Sequence, residues 1–127
     1  MKYKLAIFEN EKVEVEGVFN YINISDKFNG ELECKYFARS QDISDLSLLS
    51  DFDLIIVDID LSFFSELDGY GLIKQIESTI NPTPNILIMT GHEIQKGYNE
   101  AHNIKEHPFI KKPLNFVRVI SKLNELL

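Results

Sequence analysis

The chain has no tryptophan, two methionines and a single cysteine in 127 residues. A lone Cys34 excludes an intrachain disulfide, and a chain of this length can bury a core without one. The thiol is therefore expected to be small, buried packing rather than a reactive group. Cationic residues are also scarce: 13 Lys and Arg stand against 20 Asp and Glu, for a net charge of −7. That balance argues against direct binding to nucleic acid or to an anionic membrane, because both need clustered Lys and Arg. No apolar run approaches the roughly 20 residues that cross a bilayer. The apolar stretch behind Met1 and Lys2 is too short for a signal peptide, so a cytoplasmic location is expected. There is no internal repeat, low-complexity tract or composition shift, and one domain over residues 1–127 is the expectation. No glycine-rich phosphate loop follows a strand-like run. His92, His102 and His107 share no metal-binding spacing, and solvated or structural roles are expected for them.

What is present is alternation. Residues 3–8 read as a strand, followed by Val15, Val18, Phe19 and Ile22 at helical spacing. Residues 32–38 alternate into a second strand, after which Ser40 is placed as the cap of a helix carrying Ile43, Leu46 and Leu49. Leu54 to Val57 is a short continuous apolar run rich in β-branched residues, the texture of a strand buried on both faces. Leu72, Ile73, Ile76 and Ile80 mark another helix, stopped by Asn81-Pro82-Thr83-Pro84. Residues 85–90 form a fourth buried strand, and residues 92–102 a short, polar helix weakened by Gly97, in which Ile94, Tyr98 and Ala101 would face inward. Residues 108–111 give a fifth strand, with Lys111 pointing outward. Residues 114–127 close the chain as a helix with Phe116, Ile120, Leu123 and Leu127 inward. Five strands alternating with five helices through short links imply right-handed crossovers and a parallel α/β sheet covered on both faces. The economical arrangement is the flavodoxin-like (βα)5 doubly wound sheet of strand order 2-1-3-4-5.

In that order the carboxyl ends of strands one, three, four and five surround one crevice, where open α/β sheets bind their ligands. Glu9 and Asn10 follow the first strand, Asp58 ends the third, Thr90 the fourth and Lys112 follows the fifth. An acid with a neighbouring amide, a second acid, a hydroxyl and a lysine thus converge at four strand ends. A carboxylate in such a place serves as a nucleophile or metal ligand, or else only caps a loop.

The chain at this point resembles the response-regulator receiver domain, the phosphoacceptor module of two-component signalling. DLIIVD ending in Asp58 carries the resemblance, together with Asp68-Gly69, with ILIMTG ending in Thr90-Gly91, and with FIKKP ending in Lys112-Pro113. It spans essentially the whole length. The resemblance implies that Asp58 accepts a phosphoryl group from a phosphohistidine on a sensor histidine kinase or a phosphotransfer protein. It implies Mg²⁺ among Glu9, Asn10, Asp58 and Asp60, with a main-chain carbonyl. Lys112 would pair with the phosphoryl oxygens, Thr90 would donate its hydroxyl to one, and Gly91 would leave room for the group. Thr90 and Phe109 would act as the switch. They would report on a face made of the fourth helix, fifth strand and fifth helix, which meets an output domain or target protein or pairs two copies of the chain. A cis peptide between Lys112 and Pro113 is also implied. On this reading the domain is a switch and not an enzyme.

Three departures qualify the resemblance. Receivers carry two adjacent acids after the first strand, whereas here Glu9 is followed by Asn10, which offers a neutral oxygen and a weaker cation site. Asp60 restores the missing charge if its carboxylate turns inward. The loop over residues 61–67 lacks the usual proline and is longer than in the family. Its Phe63 and Phe64 are expected to pack beside the site, with a docking patch as the alternative. Two other readings stay open. One is a pseudo-receiver that binds partners without phosphorylation because Asn10 has crippled the cation site. The other is a haloacid dehalogenase-like phosphatase, whose DxDx(T/S) motif is similar to Asp58-Ile59-Asp60-Leu61-Ser62. That family places its motif on the first strand and adds a late acidic pair; here two strands come before Asp58.

Overall fold

A computed structural model describes residues 1–61, 63–92 and 101–127. The strands are β1 (Lys2–Phe8), β2 (Glu31–Phe37), β3 (Leu54–Asp58), β4 (Asn85–Thr90) and β5 (Phe109–Lys111). The helices are α1 (Lys12–Ile24), α2 (Gly69–Thr79) and α3 (Phe116–Leu126). All pairings are parallel, in the order β2-β1-β3-β4-β5. This is the doubly wound flavodoxin-like sheet that the alternation predicts.

Side chains on a strand alternate between faces, and the core divides accordingly. Ala6, Phe8, Ile55, Val57, Ile86 and Ile88 pack with Leu72, Ile73 and Ile76 of α2 on one face. Leu5, Ile7, Leu54, Ile56, Leu87 and Met89 pack on the other with Val15, Phe19 and Ile22 of α1 and Val119 and Leu123 of α3. The whole of β3 is buried, so it reads as an unbroken apolar run rather than an alternating one. The carboxyl ends of the strands therefore form one edge of a rigid slab, with helices on both sides.

Side-chain caps explain where two of the helices begin. Asp68 precedes α2, and its carboxylate accepts the Gly71 N–H at 2.7 Å. Asn115 does the same for α3 by accepting the Val117 N–H at 2.8 Å, which moves the start from the expected residue 114 to Phe116. The peptide bonds before Pro82 and Pro113 are cis, the second as expected.

The second predicted helix does not form. Residues 40–51 make two short 3-10 turns, Ser40–Asp42 and Leu46–Asp51, and Arg39 rather than Ser40 occupies the first cap. Asp45 accepts the Ser47 N–H at 2.9 Å and Ser50 Oγ donates to the Ser47 carbonyl at 2.8 Å. These short polar side chains satisfy the backbone locally and compete with the α-helical ladder. The helix expected over 92–102 falls mostly on residues outside those described, Ile94 and Tyr98 included, while Ala101 at its end is exposed rather than inward. Cys34 is half-buried rather than fully buried as expected, and burial pushes its thiol up to about 11.

A part-buried carboxylate–imidazole contact that no sequence pattern announces fastens the approach to β5. His107 Nε2 lies 2.5 Å from Glu77 Oε2 of α2, both side chains 11% exposed, and the Lys105 N–H donates to the same carboxylate at 3.0 Å. Ile104 is buried beside this pair in the core. Glu77→Ala strips the acceptor from both groups and is expected to cost about 2 kcal/mol. A urea midpoint equal to that of the wild type would contradict this.

Candidate functional site

Each of the strand-end groups is placed by local backbone chemistry. The Glu9 N–H extends the β1–β2 ladder by donating to the Phe37 carbonyl at 3.0 Å. Glu9 Oε1 then accepts the Glu11 N–H at 3.0 Å, turning the chain into α1. At the end of β3, Asp58 Oδ1 accepts the Asp60 N–H at 2.9 Å. The Ile59 carbonyl accepts the Gly69 N–H at 3.1 Å, drawing the start of α2 against the strand end. The Lys112 N–H donates to the Thr90 carbonyl at 2.6 Å, so the lysine and the hydroxyl residue sit on neighbouring rungs.

The side chains meet as expected for Glu9, Asp58 and Lys112. The Lys112 ammonium lies 2.6 Å from Glu9 Oε2 and 3.0 Å from Asp58 Oδ2. The Glu9 and Asp58 carboxylates are buried, with side chains 0% and 3% exposed, and Lys112 closes over them. Two buried anions would be costly together, and one cation compensates both. Burial pushes the Glu9 carboxyl up from its ordinary value, against the downward pull of Lys112 and of the Glu11 amide. For Lys112 burial pulls downward, but the two carboxylates outweigh it and hold the ammonium above its ordinary value.

Thr90 is buried but does not reach Asp58. Its Oγ1 accepts the His92 N–H at 3.0 Å and donates to the His92 carbonyl at 3.3 Å, closing a turn on itself. Phe109 is 45% exposed on β5. Asp60 lies on the rim with its carboxylate 3.6 Å from His92 Nε2, and the side chain is 57% exposed. The inward turn that would put its charge against Asp58 is not the arrangement seen. Asn10 is exposed at the same rim.

An open cleft of about 420 Å³ lies over these groups, lined by Asn10, Glu11, Glu14, Asp58, Asp60 and Lys112 among others. Glu11 and Glu14 were not singled out by sequence. The signal was available, since the first turn of a helix that starts at the strand end must face the crevice. The hydrogen bond and the charge of Glu11 push the Glu14 carboxyl up from its ordinary value. Four carboxylates and one ammonium thus line an oxygen-rich cleft. A second groove, of about 640 Å³, adjoins it past Lys112 and Pro113 and is lined by Val18, Tyr21, Leu114, Phe116 and Arg118.

The site makes a pH prediction. A carboxyl raised in the folded state binds its proton more tightly there, so its contribution to stability is full below the ordinary 4.5 and is lost as pH rises to the folded value. A raised lysine contributes stability below 10.5 that is lost as pH climbs through its folded value. Lys112→Met removes the strongest downward pull on Glu9. The Glu9 carboxyl should therefore titrate at higher pH by carbon-13 NMR, and the alkaline loss of stability should disappear. A Glu9 titration unchanged by the substitution would contradict this assignment of the charges.

The parallel doubly wound sheet carries acid, acid, hydroxyl and lysine at four strand ends, and comparison with known proteins assigns the family. The model of the response regulator receiver domain matches residues 6–124, and the chain belongs to that family. The receiver domain of Francisella response regulator 1452 is similar in structure (TM-score 0.73, 16% identity, 98% of this chain and 95% of that one). So is the response regulatory domain of mrkE from Klebsiella pneumoniae (TM-score 0.69, 24% identity, 97% and 93%). NtrX from Brucella abortus is a longer relative in fold, of which this chain covers 27% (TM-score 0.72, 22% identity, all of this chain). No curated protein matches the sequence. Among the described residues no helix is long and apolar enough to cross a membrane.

Proposed function

We propose that this domain is a phosphoacceptor switch whose acceptor is Asp58. The observation that supports the reading most is the Glu9–Lys112–Asp58 cluster at the base of an open acidic cleft. An Asp58 carboxylate oxygen attacks the phosphorus of a phosphohistidine on a sensor kinase or phosphotransfer protein. The P–N bond breaks, its electron pair returns to the imidazole, and an aspartyl phosphate remains. Lys112 follows the new anion as a mobile point charge, and Thr90 exchanges its turn with His92 for a phosphoryl oxygen. That exchange and an inward turn of Phe109 would bias the face around β5 toward an output domain, a target or a second copy.

The donor set suits a hard cation. Its side-chain donors are oxygens, and no group of three or more His, Cys, Asp or Glu converges into an all-protein cage among the described residues. Mg²⁺ needs no such cage, because it keeps several waters and takes one or two carboxylates. Asp58, the Asn10 amide oxygen and Asp60 would hold it, with Glu9 acting through Lys112. The cation would neutralise charge on the transferring group. The domain would work in the cytoplasm as one unit over residues 1–127, without catalytic turnover.

The test is intact mass after incubation with acetyl phosphate, with and without Mg²⁺. A gain of one phosphoryl group that requires Mg²⁺ supports the reading. No gain from a folded protein favours a pseudo-receiver, the reading to which Asn10 in place of an acid lends weight. Steady release of inorganic phosphate would instead favour a phosphatase.

A further inference from the structure

The loop between β3 and α2 holds two phenylalanines out in solvent. Phe63 and Phe64 are 89% and 71% exposed, their rings in contact at 4.7 Å between centroids. The expectation that they pack beside the site is thus overturned. Large exposed aromatics placed side by side are the usual anchors of protein interfaces.

The loop beneath them is not slack. Ser65 Oγ accepts the Ser40 N–H at 2.8 Å and donates to the Leu67 carbonyl at 2.6 Å, and the Leu67 N–H donates to Ser40 Oγ at 3.0 Å. Gln41 completes the frame. Its Nε2 donates to the Phe64 carbonyl at 2.9 Å and its Oε1 accepts the Glu66 N–H at 2.9 Å. Leu61 is buried ahead of the pair and Leu67 packs on the core behind it. A platform ordered in advance loses little entropy when a partner binds.

Charge identifies the partner. From Asp60 to Asp68 the chain carries the exposed Asp60, Glu66 and Asp68 and no Lys, Arg or His. Arg39, beside the frame, commits its guanidinium to Asp42 at 2.6 and 2.9 Å. The groove along α1 has the opposite character, with Lys111, Lys112 and Arg118 around its apolar lining. A second copy of this chain, at −7, would bring like charge to the platform.

We propose that Phe63 and Phe64 anchor a partner protein through a segment that presents apolar side chains flanked by Lys or Arg. The assignment does not depend on phosphorylation of Asp58. It is tested by titrating the labelled protein with a short amphipathic peptide, Leu on one face and Lys on the other, and with its twin in which Glu replaces Lys. The Lys peptide should shift the amides of residues 61–67, and Phe63→Ser/Phe64→Ser should weaken it at least about ten-fold. Both rings are exposed, so spectra of the variant away from the loop should superimpose on those of the wild type; Phe63→Ser alone should give an intermediate loss. The Glu peptide should leave the loop unmoved. Shifts confined to the α1 groove, equal binding by the double variant, or loop shifts that follow protein concentration without peptide would each overturn the proposal.

Discussion

Asp58→Asn, incubated with acetyl phosphate and Mg²⁺, should gain no phosphoryl group under conditions in which the wild type is expected to be modified. An amide oxygen is neutral and a poor nucleophile, and its adduct could not persist as an acyl phosphate. The fold should survive the change, because Lys112 keeps Glu9 at 2.6 Å when Asp58 no longer carries charge. Removal of one of two buried anions around a single cation also relieves their repulsion. Mass spectrometry and a circular dichroism melt on the same sample separate lost chemistry from lost structure. Modification of Asp58→Asn at the wild-type rate would move the acceptor to another residue.

Gly69→Ala should have the largest effect on stability. A methyl group there would meet the Asp58 carbonyl oxygen at 2.4 Å and Ile59 Cα at 2.5 Å, both backbone atoms that cannot turn aside. The start of α2 would have to retreat from the end of β3, breaking the Gly69–Ile59 hydrogen bond and shifting Asp58. A loss of about 3 kcal/mol or more is expected in urea unfolding, with slower phosphoryl uptake by the folded fraction. Gly17→Ala is the matched contrast. It lies within α1 with nothing inside 4 Å of the added carbon, so about 0.5–1 kcal/mol should be gained. Equal behaviour of the two variants would rule out the close approach at Gly69.

The sheet was readable because burial on both faces leaves strands such as Leu54 to Val57 with no polar positions to blur them. Glu9, Asp58 and Lys112 were readable for a related reason: a polar residue directly beyond such a run has only the strand-end edge to occupy. The two 3-10 turns were misread as a helix because Ile43, Leu46 and Leu49 carry helical spacing. The deciding chemistry lies in Asp45 and Ser50, whose side chains bond the Ser47 amide and carbonyl two and three residues away. The Glu77–His107 pair joins residues thirty apart in sequence and leaves no periodic trace. For Asp60 the residue type allowed an inward or an outward carboxylate, and only the position of His92 across the mouth distinguishes them.

The hydrogen bond from the Lys112 amide to the Thr90 carbonyl carries a further consequence. Lys112 and Thr90, the residues proposed to bind and to answer a phosphoryl group, sit on neighbouring rungs of the sheet edge. A displacement of the lysine toward an incoming anion would therefore pull on the β4 end and reach the Thr90–His92 turn without crossing the core. On the proposed function, message and answer would be separated by a single hydrogen bond, which would leave the rest of the slab free to remain rigid while its edge changes state.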